Sequence, residues 1–183
     1  MIQDYIKVFE NTVPLDLCDA LLNEFSNSSE WVDTVVDNDV VNKNIRSAST
    51  IFLSKETISR NIEIRAQLDA MLFRAAGSAL QKYSDIYPKT QIKRDTGYQI
   101  LRYETGQFYA QHTDSYEKNP RCISCSFALN DGYEGGEFAF FDRDTTIRLP
   151  KGAAILFPSN FMFPHEILQV LSGTRYSVVT WFV

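Results

Sequence analysis

Short runs of aromatic and β-branched residues, separated by turn-forming residues, dominate the second half of this 183-residue chain. Such runs are typical of β-strands, and the residues between them, such as Pro150-Lys151-Gly152 and Ser172-Gly173, are typical of turns. The runs cover residues 97–103, 107–112, 122–129, 137–141, 145–149, 153–157, 165–170 and 175–182. About eight short strands at this spacing predict a sandwich or barrel, and a jelly roll has that number of strands.

The first half of the chain has a mixed pattern that predicts both helices and strands. Pro14 precedes a run with apolar residues at helical spacing, and Ser54 can cap a longer helix that ends before Pro88. Short strands are predicted over residues 5–9 and 45–53.

Together, the two halves predict one domain over residues 1–183. We expect a mainly β fold with supporting α-helices, in which the helices of about residues 1–95 pack on one outer face of the sheet. Residues from about 96 to 183 then form the jelly-roll core.

Charge and composition favour some classes of protein over others. The net charge is −5, from 18 basic and 23 acidic residues, so we expect no nucleic-acid partner, because phosphate binding needs a concentrated basic surface. Three cysteines do not make a disulfide framework, and no apolar run reaches membrane-spanning length. We expect a soluble, intracellular (cytoplasmic) protein with no membrane partner. These data do not predict its oligomeric state.

The chain contains only two histidines, His112 and His165. His112 is followed two residues later by Asp114, and residues i and i+2 of a strand point to the same face. A second histidine from a distant strand would complete a set of two imidazoles and one carboxylate. This set holds iron(II) in non-haem oxygenases and leaves three coordination positions open.

Arg175 follows His165 by ten residues. Its planar guanidinium can pair with a carboxylate at two points, so it suits the far end of a pocket for a dicarboxylate such as 2-oxoglutarate. Ser177 shares the face of Arg175 on a strand and can supply a further hydrogen bond.

Several motifs together resemble the prolyl 4-hydroxylase family of iron(II)- and 2-oxoglutarate-dependent oxygenases. The resemblance covers roughly residues 96–183 and rests on the segment 101–114 (LRYETGQFYAQHTD), on 135–137 (GGE), on 150–152 (PKG), and on the ending His165…Arg175…Trp181. The segment 121–125 (RCISC), with Leu129-Asn130, Pro164-His165-Glu166 and Thr174-Arg175-Tyr176, is similar to the prolyl hydroxylases that act on hypoxia-inducible factor.

The resemblance implies a double-stranded β-helix, also called a jelly-roll or cupin-like fold. It implies iron(II), 2-oxoglutarate and dioxygen as requirements, with ascorbate as a helper reductant. The roles it implies concern six positions: His112, Asp114 and His165 as catalytic metal ligands, Arg175 as the catalytic partner of the 2-oxoglutarate 5-carboxylate, and Tyr103 and Ser124 as residues of the cosubstrate pocket.

One position departs from the pattern of the oxygen-sensing enzymes. Ala128 stands where those enzymes carry a second tyrosine that contacts 2-oxoglutarate. Either Ser177 or another hydroxyl compensates, or the affinity for 2-oxoglutarate differs.

The expected reaction is hydroxylation of a C–H bond, with release of succinate and carbon dioxide, and the expected substrate is a prolyl residue in a peptide or protein. One alternative is hydroxylation of a free amino acid or another small molecule. An alternative of another class is a non-catalytic, cupin-like binding or sensing module. The polar segment 28–44 is either a lid over the site or an ordinary surface hairpin.

Overall fold

A computed structural model describes residues 1–35, 40–53 and 62–183 of the chain. A short 3-10 helix, Ile2–Tyr5, comes first, and the α-helices are α1 (Leu15–Phe25) and α2 (Ile62–Ile86). The strands of the first half are β1 (Lys7–Phe9), β2 (Val32–Asp33), β3 (Arg46–Ser47) and β4 (Ser49–Phe52). Those of the second half are β5 (Gln99–Glu104), β6 (Phe108–His112), β7 (Ile123–Ala128), β8 (Glu134–Gly135), β9 (Phe138–Phe140), β10 (Thr145–Ile147), β11 (Ala154–Pro158), β12 (His165–Ile167), β13 (Val170–Ser172) and β14 (Thr174–Phe182).

Most strands belong to two antiparallel sheets that face each other. The larger sheet has the order β1-β11-β7-β14-β5-β4-β2, and the smaller sheet has the order β10-β9-β12-β6-β3. Strands β13 and β8 form a separate pair beside them. This arrangement is the expected double-stranded β-helix, and the prediction of its fold class is confirmed.

Strand β7 shows how the larger sheet separates two apolar cores. Its six residues are all buried, and alternate side chains point to opposite faces. Ile123, Cys125 and Phe127 belong to a core shared with the helices, whereas Ala128 belongs to a second core between the two sheets. Ser124 and Ser126, on the same face as Ala128, therefore point between the sheets.

The two α-helices cover the outer face of the larger sheet, as the sequence predicts. Helix α1 buries Leu17, Cys18, Leu21 and Phe25, which recur at the spacing of one helical face. Helix α2 contributes its own buried stripe to the same core, formed by Leu68, Leu72, Ala75, Ala76, Ala79 and Tyr83. The helices thus leave the space between the sheets free for a site.

Some local predictions need adjustment. The predicted strand over 45–53 divides at Ala48, because β3 joins the smaller sheet while β4 joins the larger one. Tyr5 ends the 3-10 helix instead of starting a strand. The cap predicted at Ser54 lies outside the described residues. Among the helices that the structure describes, none has the length and apolar character needed to cross a lipid bilayer.

Candidate active site

His112, Asp114 and His165 meet between the two sheets. His112 ends β6, His165 begins β12, and the two residues are direct partners in the pairing of these strands. His112 Nε2 lies 3.4 Å from Asp114 Oδ1, and His165 Nε2 lies 3.6 Å from Asp114 Oδ2. One side-chain donor atom from each residue lies within 4.8 Å of the others. Three atoms at this spacing can share one metal ion.

Strand alternation predicts Asp114 on the same strand as His112, but Asp114 lies in a bend that follows that strand. Strand β6 ends at His112, and Asp114 lies in a bend two residues later. The bend is fixed by the backbone N–H of Ser115, which donates to the carbonyl of Ser159 at 2.9 Å. The spacing of the motif therefore has the expected result, although the carboxylate stands on a bend and not on the strand.

A chain of hydroxyl groups holds the carboxylate of Asp114. The Ser124 hydroxyl donates to Asp114 Oδ2 at 2.6 Å, and the Ser159 hydroxyl lies 2.8 Å from the Ser124 oxygen. Since the Ser124 proton is directed to Asp114, Ser159 is the donor in the second bond. Ser159 is fully buried. Sequence patterns give no indication of this role, because Ser159 stands in a Pro-Ser-Asn turn signal.

Both histidines are oriented by their own backbone. His112 Nδ1 lies 2.9 Å from the carbonyl oxygen of Ala110, and His165 Nδ1 lies 3.1 Å from that of Phe163. A carbonyl oxygen can only accept, so each Nδ1 carries the proton and each Nε2 presents a lone pair. Such outer hydrogen bonds set the tautomer of metal-binding histidines.

The protonation states also suit a cation. Burial, and then the charge of His112, lower the pKa of His165 to about 4, so its imidazole is neutral near pH 7. Burial alone would raise the pKa of Asp114, but His165, His112 and Ser124 together hold it well below its ordinary value. A neutral imidazole and an ionised carboxylate are the forms of these two groups that bind metals.

Arg175 occupies the same cavity, which has a volume of about 1120 Å³. The guanidinium is buried, with its carbon 5.3 Å from the ring centre of Tyr103 and 5.4 Å from that of Phe138. Its Nη1 donates to Ser177 Oγ at 2.9 Å, and no described residue accepts a hydrogen bond from its buried Nε. A side chain at Gly136 would come within 3.0 Å of Arg175 Cδ, so a glycine is needed there.

Ser126 adds a second unpaired polar group to the wall of this cavity. Its hydroxyl is buried and has no hydrogen-bond partner in the described part of the chain. On β7 it stands between Ser124, which bonds to Asp114, and Ala128, which lies opposite Ser177. The cavity wall thus runs from the carboxylate of Asp114 past a free hydroxyl to the guanidinium of Arg175.

Comparisons with known proteins find similarity to one family over the second half of the chain. Residues 98–183 match the model of the 2OG-Fe(II) oxygenase superfamily. Over these residues, somewhat less than half of its length, the chain is similar to that superfamily. Its members use iron(II), 2-oxoglutarate and dioxygen.

The similarity extends to curated proteins and to solved structures. A PKHD-type hydroxylase of Idiomarina loihiensis is 30% identical over 122 residues, which are 63% of this chain and 53% of that protein. The chain thus spans about half the length of this relative. A Trichoplax adhaerens prolyl hydroxylase, solved with a peptide of hypoxia-inducible factor, has a TM-score of 0.81 at 17% identity over 97% of this chain and 83% of that chain. A Pseudomonas putida prolyl-4-hydroxylase has a TM-score of 0.75 at 22% identity, covering 97% and 92%.

The residues between the sheets fit the cofactors of the superfamily. The donor set of His112, Asp114 and His165 suits iron(II). Two imidazoles and one carboxylate on one face of the ion form the set that non-haem iron(II) oxygenases use. Among the described residues, the buried guanidinium of Arg175 bonds to the neutral Ser177 and to no carboxylate. It therefore suits a carboxylate ligand, since a buried charge is costly without a counter-ion. Tyr103 lines the cavity beside this guanidinium.

Two other positions have outcomes that sequence alone leaves open. Ser124 bonds to Asp114, so its place in the cavity is at the metal end and not beside Arg175.

Of the segment 28–44, residues 36–39 lie outside the described part of the chain, while Val32–Asp33 pairs with β4 at the edge of the larger sheet. Whether this segment acts as a lid stays a prediction.

Proposed function

We propose that this chain is an iron(II)- and 2-oxoglutarate-dependent dioxygenase that hydroxylates a prolyl residue in a peptide or protein. One observation carries the proposal. A histidine–aspartate–histidine set and a buried, incompletely paired Arg175 share one cavity, at the two ends of a wall built by neighbouring strands.

In this proposal His112, Asp114 and His165 hold iron(II), and Arg175 binds the distal carboxylate of 2-oxoglutarate through its guanidinium. Ser177 keeps the guanidinium in place. The bound iron would supply the chemistry by which dioxygen and 2-oxoglutarate are converted, with a substrate C–H, to succinate, carbon dioxide and the C–OH product. The protein orients these reactants and excludes water from the space between the sheets.

The choice of a prolyl substrate is supported by the similar proteins. The Trichoplax enzyme and the Pseudomonas enzyme are prolyl hydroxylases, and the Trichoplax enzyme was solved with a peptide. Residues 1–183 acting as a single domain, with a catalytic core over about 96–183, belong to the same proposal. So does the use of ascorbate as a helper reductant.

Succinate formation from 2-oxoglutarate tests the proposal. The purified chain would be supplied with iron(II), ascorbate and a pooled library of proline-containing peptides, with free amino acids in a parallel series. We expect succinate to depend on iron, to rise with peptide and to disappear in His112→Ala. Hydroxyproline in the peptide would be identified by mass spectrometry.

Anaerobic binding provides a second, independent reading of the same proposal. Iron(II) and 2-oxoglutarate together form a coloured chelate, which we expect in the wild type and not in His112→Ala. If neither the chelate nor succinate appears under any condition, the proposal is wrong and the alternative of a non-catalytic binding module stands. If succinate rises with free amino acids and not with peptides, the prolyl-peptide substrate is wrong and the oxygenase stands.

A further inference from the structure

We propose that Arg46 and Arg121 together bind a carboxylate of the substrate beside the metal site. Arg46 stands on β3, and Arg121 stands just before β7. Both line the cavity that contains His112 and Asp114. The inference rests on the proposed oxygenase function and specifies the chemistry of its substrate.

Arg46 lies over an aromatic ring. Strand pairing sets Arg46 opposite Tyr109, and the guanidinium carbon lies 4.5 Å from the centre of the Tyr109 ring. That ring is itself stacked on His112, with ring centres 3.6 Å apart. The Nη1 of Arg46 donates to the carbonyl of Val35 at 3.4 Å, and its Nε is buried without a hydrogen-bond partner among the described residues. The stack therefore places a positive charge one ring away from a proposed metal ligand.

Arg121 is also held against an aromatic ring, next to Asp114. Its guanidinium carbon lies 3.6 Å from the ring centre of Trp181, and its Nη1 donates to the backbone carbonyl of Asp114 at 3.0 Å. Its Nε is also buried without a partner. Arginine side chains that stack on aromatic rings keep their in-plane donors available for an anion.

The two charges have no carboxylate partner of their own in the described part of the chain. Neither arginine forms an ion pair there, and Asp114 is the single acidic side chain that the described residues contribute to the cavity lining. Asp114 is committed to the metal in the proposed function. An anion bound by both guanidinium groups would supply the counter-charge that the described residues do not provide.

A carboxylate on the substrate is the anion that this geometry selects. In a peptide it would be an aspartate or glutamate side chain near the target proline. In a free amino acid it would be the α-carboxylate. A guanidinium pairs with either one through charge-assisted hydrogen bonds, which are stronger than bonds between neutral groups.

Matched pairs of substrates, differing only in a carboxylate or an amide, test the inference. Short proline-centred peptides with glutamate at one flanking position would be compared with the same peptides carrying glutamine, and L-proline with L-prolinamide. The ratio of kcat/KM within each pair is measured for the wild type, Arg46→Gln, Arg46→Lys and Arg121→Lys. Arg74→Gln, an exposed position on α2, is the control of equal charge change. Anaerobic calorimetry of the same peptides gives the ratio of their affinities without turnover.

We expect the wild type and Arg74→Gln to prefer one carboxylate member by about tenfold or more, the effect of one charge-assisted hydrogen bond. Arg46→Gln should reduce this ratio to within about threefold of unity, and Arg46→Lys should keep part of it. A preference among peptides assigns the carboxylate to a side chain, and a preference for proline over prolinamide assigns it to a free amino acid. A wild-type ratio near one, or an unchanged ratio in Arg46→Gln, overturns the inference. The proposed function fails separately, if the wild type forms no chelate with iron(II) and 2-oxoglutarate.

Discussion

The hydroxyl of Ser124 donates a 2.6 Å hydrogen bond to Asp114 Oδ2 and thereby fixes the carboxylate that both histidines face. The bond matters because the bend that carries Asp114 would otherwise leave the carboxylate free to rotate away from the two imidazoles. An outer partner of this kind typically accounts for 10–100-fold in metal affinity.

Ser124→Ala is therefore expected to weaken iron(II) binding by about 10–100-fold, and Ser124→Thr to restore most of the loss. Anaerobic titration of iron(II) in the presence of 2-oxoglutarate measures both. Ser172→Ala, at an exposed position of β13, is the control. Iron affinity in Ser124→Ala equal to that of the control would show that the hydrogen bond is irrelevant to the metal.

Ser126 provides a test of the cavity wall between the metal end and Arg175. If its unpaired hydroxyl bonds to 2-oxoglutarate, Ser126→Ala should raise the dissociation constant for 2-oxoglutarate by about three- to tenfold, the effect of one hydrogen bond. Thr180→Ala is a matched control, because Thr180 also buries an unpaired hydroxyl but stands outside the cavity lining. Equal effects in both variants would mean that Ser126 acts through stability alone.

Arg175 can be tested by the stabilisation that a ligand confers. At 2-oxoglutarate concentrations about 100 times the dissociation constant, binding should stabilise the manganese-loaded wild type by about 2.7 kcal/mol. Arg175→Met should lose most of this gain, and Arg175→Lys should keep a part, since lysine supplies charge without two-point geometry. Thermal unfolding with and without 2-oxoglutarate measures the effect. The same shift in Arg175→Met as in the wild type would exclude Arg175 as the anchor.

The metal-free protein should become less stable as the pH falls from about 6.5 to about 4. An unfolded histidine takes up a proton near pH 6.5, whereas the pKa of folded His165 is about 4, so the unfolded chain binds more protons between these values. The contribution of His165 to the free energy of unfolding amounts to roughly 3 kcal/mol. It is complete above pH 6.5 and is lost below pH 4. Denaturant unfolding of chelator-treated protein at a series of pH values measures it. His165→Gln should flatten the pH dependence, and equal slopes would refute the assignment to His165.

The contact between the helices and the larger sheet offers a stability test that is independent of chemistry. Leu72 is fully buried on α2, and its neighbour Phe73 is exposed. Leu72→Ala should lower the free energy of unfolding by about 2–5 kcal/mol, whereas Phe73→Ala should change it by less than about 1 kcal/mol. Urea unfolding of both variants gives the comparison. A larger loss for Phe73→Ala would mean that this face of α2 is covered by a partner.

The strand pattern and the spacing of ionisable residues were sufficient to predict much of this molecule. The runs between residues 97 and 182 correspond to strands because alternating burial between two layers imposes that pattern on the chain. His112 and His165 could be paired because the chain has no other histidine. Ser177 beside Arg175 follows from the two-residue repeat of a strand.

The contacts that complete the site could not be predicted in this way, because they depend on register. Ser159 meets Ser124 across 35 residues of sequence, through the pairing of β11 with β7. Arg46 stacks on Tyr109 because β3 leaves the larger sheet at Ala48 and joins β6. Neither of these two contacts between distant segments can be predicted from local composition.

The pairing of β7 with β14 has a consequence for which acids can serve as cosubstrate. Ser124 lies opposite Trp181 and Ala128 lies opposite Ser177, so the metal end and the arginine end are separated by four residues of hydrogen-bonded strand. At about 3.3 Å per residue this span is roughly 13 Å, and it can change only if the sheet itself breaks. The sheet thus keeps the spacing between the two ends of the cavity constant, so that in the proposed function the reach of Arg175, and not movement of the strands, sets the length of acid that can bind at both ends.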